Sequence, residues 1–353
     1  MDVRATNMSA WLEKVLVNLG RPGRFIIEPV TSDASFRRYF RIRIVNSEET
    51  YIVMDAPSEN EDCKPFIKIS AAMADAGLSV PRVVDQDIAE GFLLLTDFGD
   101  QQYLGLLNEG SVDQLYEDAL KSLLILQKAV PSNNLLPDYT EKLLLAEMNI
   151  FIDWYLVGHL QLDITTESQA LLDSVFSKLA TQAMKQPRVW VHRDYHSRNL
   201  MIINDEITSS FHCDAVCRNP GILDFQDSVM GPICYDLVSL LKDCYISWPE
   251  DKINKWLAQY YVELIKNGLF NSDISYDEFV YWFDFMGLQR HLKAIGIFSR
   301  LYLRDNKPGY LKDIPRTLSY VLQVSEKYSE LSLFNEWLRC NVIPVASRGL
   351  TDF

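Results

Sequence analysis

The chain has 353 residues, 48% hydrophobic and 12% aromatic, which is ample material for buried cores and long for a single one. Its formal charge of −14, from 34 basic and 48 acidic residues, argues against a nucleic acid or an anionic membrane as the main partner. Six cysteines at irregular spacing suit reduced thiols, the amino terminus lacks a secretory apolar core, and no apolar run approaches the roughly 20 residues that cross a bilayer. A cytoplasmic protein with no obligate protein partner is the expectation.

Residues 9–19 carry helical apolar spacing behind Ser9 as a candidate cap, and Gly20 ends them. Strand-like runs follow at 25–30, 39–45 and 51–55; in the second, Arg41 and Arg43 alternate with apolar residues and so share one face. A helix is predicted over 64–76 with Gly77 as its stop, then strands near 82–85 and 92–96. From about 111 to 185 the pattern is helical, broken at Pro131 to Pro137. Short apolar strands return at 189–191, 200–203 and 222–225, with a polar surface loop at 205–219. Helices resume from Tyr235 to about 340. This order predicts an α+β, two-lobed, protein-kinase-like fold. A small, mostly β nucleotide-binding lobe would occupy 1–98, with a hinge at about 95–99. A larger, mostly helical lobe over 99–353 would carry the catalytic loop and the acceptor site.

The chemistry concentrates in two segments, His192-Arg193-Asp194-Tyr195-His196-Ser197-Arg198-Asn199 and Asp224-Phe225-Gln226-Asp227. An acid, an Asn five residues on, and a second acid after an apolar strand follow the kinase order of phosphoryl-transfer groups. Asp194 would orient and deprotonate an attacking hydroxyl. Asn199 and Asp224 would offer a neutral and an anionic oxygen to Mg²⁺ on the phosphates of ATP. Charged loop residues without a catalytic role are the other reading.

Asp97-Phe98-Gly99 spells the metal-binding motif of protein kinases, but it precedes the catalytic loop where that order puts the motif after it. Residues 95–99 therefore read as a hinge, with Thr96 and Asp97 beside adenine. Between the first two strands, Ser32, Ser35 and Phe36 lie where backbone N–H groups would approach phosphates, and Arg37, Arg38 and Arg41 supply local positive charge. A polar hairpin on an edge strand is the alternative there. His212, Cys213 and Cys217 form a loose cluster without a fourth ligand and do not read as zinc spacing.

The stretch Trp190 to Asn199, then Gly221-Ile222-Leu223-Asp224-Phe225-Gln226-Asp227, Gly231-Pro232 and Tyr235-Asp236-Leu237, resembles the aminoglycoside phosphotransferase and choline kinase superfamily. More narrowly, from about residue 25 to 320, the chain is similar to the anomeric N-acetylmuramate/N-acetylglucosamine kinases of bacterial cell-wall recycling. That likeness rests on Ser32-Asp33-Ala34-Ser35-Phe36-Arg37-Arg38-Tyr39, Val53-Met54-Asp55-Ala56-Pro57, Leu288-Gln289-Arg290-His291-Leu292-Lys293 and Gly296-Ile297-Phe298. It implies ATP-dependent phosphorylation of the C1 hydroxyl of an amino sugar. One departure stands out. The wider superfamily places a phosphate-holding Lys on the third small-lobe strand, where this chain has Met54 followed by Asp55. Arg41 is the first choice to replace it, ahead of Arg43 and Lys64.

The same resemblance puts the acceptor among the carboxy-terminal helices. Arg290 and His291 are then candidates for hydroxyl, amide or carboxylate contacts, since Arg grips a carboxylate bidentately. Trp154, with Tyr155, offers an aromatic platform, and Asp227 a further contact to metal or substrate. An Arg or His on a helix is more often structural, and aromatics at helical spacing are more often core. Asp236 reads as a brace that accepts from the catalytic-loop backbone, and His196 as a packing residue. The basic segment at 289–293 favours an uncharged or anionic acceptor over an aminoglycoside or choline. A kinase of another small hydroxyl substrate, homoserine included, and a non-catalytic kinase-fold module remain as alternatives.

Overall fold

The computed structural model describes residues 3–30, 37–57, 59, 61–132, 135–203, 219–270 and 273–349. The chain forms two compact units, one of Met1–Ile125 with Arg198–Asp227, the other of Leu126–Ser197 with Ser228–Phe353. This division differs from a cut near residue 98, and the packing of the first unit says why. Phe98 shares an apolar cluster with Met201, Ile203 and Leu223, and strand bridges join Ser79 to Gly221 and Gln102 to Met201. The chain past Thr96 therefore stays with the sheet.

That sheet has five described strands in the order β1 (Phe25–Val30), β2 (Arg38–Ile44), β3 (Thr50–Asp55), β5 (Phe92–Thr96) and β4 (Val83–Asp87), all antiparallel. Period-two alternation gives it two characters. One face offers Ile42, Ile44, Val53, Phe92 and Leu94 to Met8, Leu12, Val15 and Leu16 of helix α1 (Val3–Asn18). Each such side chain contributes about 1.5–3 kcal/mol when fully buried. The helix begins at Val3, so Ser9 is interior and caps nothing; Gly20, at φ 71°, ends it as the Arg21 N–H turns back to the Leu16 carbonyl at 2.8 Å. The other face carries Tyr39 and Arg41 of β2 with Ile52 and Met54 of β3. Helix α2 (Lys64–Asp75) starts where the Asp62 carboxylate accepts from the Lys64 N–H, and it stops before Gly77 at φ 90°.

The second unit is mainly helical. Its longest described helix, Tyr276–Leu303, follows Ser275, whose hydroxyl accepts from the Glu278 N–H. That helix is buried over most of its length because other helices cover it on several sides. Gly296 is required where it passes the end of helix Glu141–Ile150: an added Cβ would fall 2.5 Å from the Ile150 carbonyl carbon. There the chain runs on as a wider π-helical segment, Phe151–His159. A two-stranded ladder pairs β6 (Arg188–Val191) with β9 (Val229–Pro232). The periodicity gave no sign of β9, because Gly231 and Pro232 read as strand breakers.

Candidate active site

The candidate side chains fall into two sets, one in each unit. In the first, β7 (Leu200–Met201) and β8 (Gly221–Ile222) pair in the register Leu200↔Ile222, and the Leu223 N–H donates to the Asn199 carbonyl at 2.9 Å. The ladder thus sets Asn199 beside the lead-in to Asp224, 25 residues later. Gly221 is needed because a Cβ there would stand 2.7 Å from the Phe98 ring. The strand expected over 222–225 ends early. Asp224 turns into the left-handed region at φ 63°, which Asp tolerates better than most residues. That turn leaves Asp224 exposed and buries Phe225 against Phe66 of α2, with ring centroids 4.8 Å apart. Buried Gln226 donates to Asp224 Oδ1 at 2.8 Å and approaches exposed Asp227 at 3.5 Å. Gln226 escaped the sequence reading, although its place between two acids was a signal. A carboxylate and a neutral amide on neighbouring stretches of backbone are donor types that suit Mg²⁺, which takes few protein oxygens and completes its shell with phosphates and water. Among the described residues no cluster of three or more His, Cys, Asp or Glu offers a self-sufficient metal cage.

In the second unit, the loop after β6 is held by side-chain carboxylates that accept from its backbone N–H groups. Asp236, on helix Cys234–Leu241, takes the His192 N–H at 2.6 Å and the Arg193 N–H at 3.0 Å, the bracing expected of it. Burial pushes its carboxyl up to about 7, against the pull of those two donors. Asp243, unmarked by any sequence signal, accepts from the Ser197 N–H at 3.0 Å and hydroxyl at 2.6 Å. Between these braces Arg193 takes φ 78°, its guanidinium on Glu147 at 2.5 Å and over the Tyr139 ring. His196 lies edge-on to Tyr245, ring centroids 5.2 Å apart, and its N–H donates to the Asp194 carbonyl. Asp194 is half-buried. Burial alone would raise its pKa, but the positive charges of Lys293, His196, Arg290 and Arg193 win and hold the carboxyl below its ordinary range. It is therefore a carboxylate at neutral pH.

A buried network supports that state. Lys293 Nζ reaches Glu147 Oε1 at 3.1 Å and the Tyr235 hydroxyl at 3.0 Å, while Gln289 donates to Glu147 Oε2 at 3.2 Å and the Tyr139 hydroxyl binds the same carboxylate. Desolvation opposes the charge on Glu147, yet Lys293 and Arg193 bring its pKa down. Glu147 and Lys293 were not singled out from sequence. Their signal was one-turn spacing on a helix: Gln289 and Lys293 are i and i+4 and reach the same acid.

The substrate-side expectations fare unevenly. His291 is fully buried, its Nε2 2.8 Å from the Lys242 carbonyl and its ring stacked on Tyr320. Burial pushes its pKa down to about 3, so it is a neutral histidine held in the core. Arg290 is 5% exposed, with Nη1 3.4 Å from Cys244 Sγ, and its charge acts on Asp194. Trp154 is half-buried on the π-helical segment.

On the nucleotide side, Ser32, Ser35 and Phe36 lie outside the described residues, as do His212, Cys213 and Cys217. Arg41 is engaged elsewhere than the phosphate role expected of it. Its guanidinium is buried on Asp97 (2.6 and 3.1 Å) and bonded to Asp100 (2.5 Å) and the Gly99 carbonyl (3.0 Å). Asp97 also accepts from the Gly99 N–H at 2.8 Å, and the Thr96 hydroxyl accepts from the Arg82 N–H at 2.9 Å. Both predicted hinge side chains thus fix backbone. Among the described residues no helix is long and apolar enough to cross a membrane.

A family model described as the phosphotransferase enzyme family matches residues 26–265. An N-acetylmuramate/N-acetylglucosamine kinase of Pseudomonas aeruginosa is 40% identical over 343 residues, covering 96% of each chain. A relative of the same name in Pseudomonas putida is 39% identical over 341 residues, covering 95% of this chain and 96% of its own. Among solved structures, an ethanolamine kinase of Plasmodium vivax superposes with a TM-score of 0.59 over 84% of this chain and 82% of its own. At 10% identity that likeness is one of fold.

Proposed function

We propose that this chain, which belongs to the phosphotransferase enzyme family, transfers the γ-phosphoryl group of ATP to the anomeric C1 hydroxyl of N-acetylmuramate or N-acetylglucosamine. The observation that carries the reading is Asp194, a half-buried carboxylate kept anionic by surrounding cations on a loop with a braced backbone. Such a group takes the hydroxyl proton as the sugar oxygen attacks the γ-phosphorus and the bond to ADP breaks. Asn199 and Asp224 would hold Mg²⁺, which when bound offsets charge on the phosphates. Gln226 fixes the rotamer of Asp224 through its 2.8 Å hydrogen bond. The choice of acceptor is supported by relatives that match almost end to end. A sugar 1-phosphate is what a nucleotide-activating enzyme needs to make a UDP-sugar, which suits cell-wall recycling in the cytoplasm.

A panel of amino sugars incubated with ATP and Mg²⁺, followed by phosphorus NMR of the product, tests this directly. We expect a new phosphomonoester resonance split by the anomeric proton of one or both sugars. Transfer to another hydroxyl, or to neither sugar, would reject the assignment.

A further inference from the structure

A chain of net charge −14 that binds a triphosphate must place positive charge locally. Several cations of the sheet unit are engaged elsewhere. Arg4 and Arg38 both bind Asp55, and Arg41 binds Asp97 and Asp100. Met54, where the superfamily resemblance expects a Lys, is apolar and fully buried.

Arg37 is placed differently. It sits two residues ahead of Tyr39, and Tyr39 pairs with Met54 across β2 and β3, so alternation sets Arg37 toward the side of the sheet that Met54 occupies. Its Nη2 donates to Glu61 Oε2 at 2.9 Å, both side chains being mostly buried. Glu61 stands in the lead-in to α2, the helix whose Phe66 packs on Phe225, next to Asp224. Tyr39 reports the same neighbourhood. Burial pushes its phenol up to about 12, Arg37 pulls it back, and the charges of Asp224 and Glu61 push it further up. The Arg37–Glu61 pair and the Asp224 turn are thus both tied to α2, through Glu61 at its lead-in and Phe66 against Phe225.

We propose that Arg37 is the phosphate-binding cation of this enzyme and that Glu61 positions it. Arg37 would thus do, from the entry to β2, what the superfamily does with a lysine on β3. A guanidinium is suited to this, because its planar fork can keep one edge on a carboxylate while another meets phosphate oxygens. The proposal rests on the phosphotransferase reading and deepens it.

Calorimetric titration of the full chain with Mg·ATP and, separately, with adenosine separates the possibilities. Arg37→Met should weaken Mg·ATP binding at least tenfold and leave adenosine within twofold, and Arg37→Lys, which keeps the charge without the fork, should recover only part of the loss. Glu61→Gln should weaken Mg·ATP several-fold and add nothing further in the Arg37→Met background, as expected of a residue acting through Arg37. Unchanged Mg·ATP affinity in Arg37→Met overturns the proposal alone. An equal loss for adenosine also overturns it, since that marks damage to the fold. A wild-type chain that binds no nucleotide removes the proposal together with the phosphotransferase reading.

Discussion

At the scale of single residues, the site depends on charge held in place by buried partners. Asp194, the proposed base, stays a carboxylate because the charges of Lys293, His196, Arg290 and Arg193 outweigh its desolvation. Asp194→Asn should lower kcat by about 10²–10⁴-fold, the usual worth of a general base, with the Mg·ATP dissociation constant nearly unchanged. Lost nucleotide affinity in that variant would show that Asp194 does other work. Lys293 is the largest of the influences that lower the pKa of Asp194. Removing it as Lys293→Met must raise that pKa, so the acid limb of kcat/KM should move to higher pH. The stability sign follows. A carboxylate depressed in the folded state stabilises above its unfolded pKa and loses that contribution as pH falls through the folded value, so the variant should acid-unfold at higher pH. An acid limb that stays put or moves down would rule out this account. Asp194, Asn199 and Asp224 stood out as candidates because two spacings occurred together. Glu147, Asp243 and Gln226 did not, since a single acid or amide in a helix or turn has no spacing of its own. The partners of Arg41 were not legible either: alternation set its face, but the acids of the 97–100 turn meet it there.

Whole elements were legible where local chemistry and tertiary packing agree. Strands β1 and β5 and helix α2 fall where periodicity put them, within a residue, because Gly77 and the apolar alternation act over a few positions. Helix α1 starts six residues before the expected Ser9, since Met8 and Leu12 are fixed by contact with the sheet. The π-helical segment had no sequence signature, and its close partner is Gly296. Ala is the better helix former by about 1 kcal/mol. Even so, Gly296→Ala should lower unfolding free energy by about 1–3 kcal/mol, because its methyl meets backbone atoms of Ile150 and Phe151 that belong to another helix and cannot turn aside. A urea midpoint equal to or above wild type would mean the two helices separate easily.

For the molecule as a whole, ligand linkage provides the readout, since anything that binds only the folded chain raises its apparent stability. Mg·ATP should raise Tm more than ATP with a chelator does, and Asp224→Ala should retain the chelator-level shift while losing the magnesium increment. An undiminished increment would move the metal ligand away from Asp224, with Asp227 the next candidate. The sequence by itself determined the α+β class, the kinase order of acids and amide, and the likeness to amino-sugar kinases, because these depend on residue type and spacing along the chain. Only tertiary structure decided which arginines are committed to carboxylates, that His291 is a neutral core residue, and that the Arg198–Asp227 segment packs with the sheet. Those outcomes turn on desolvation and on partners distant in sequence, which no local pattern encodes.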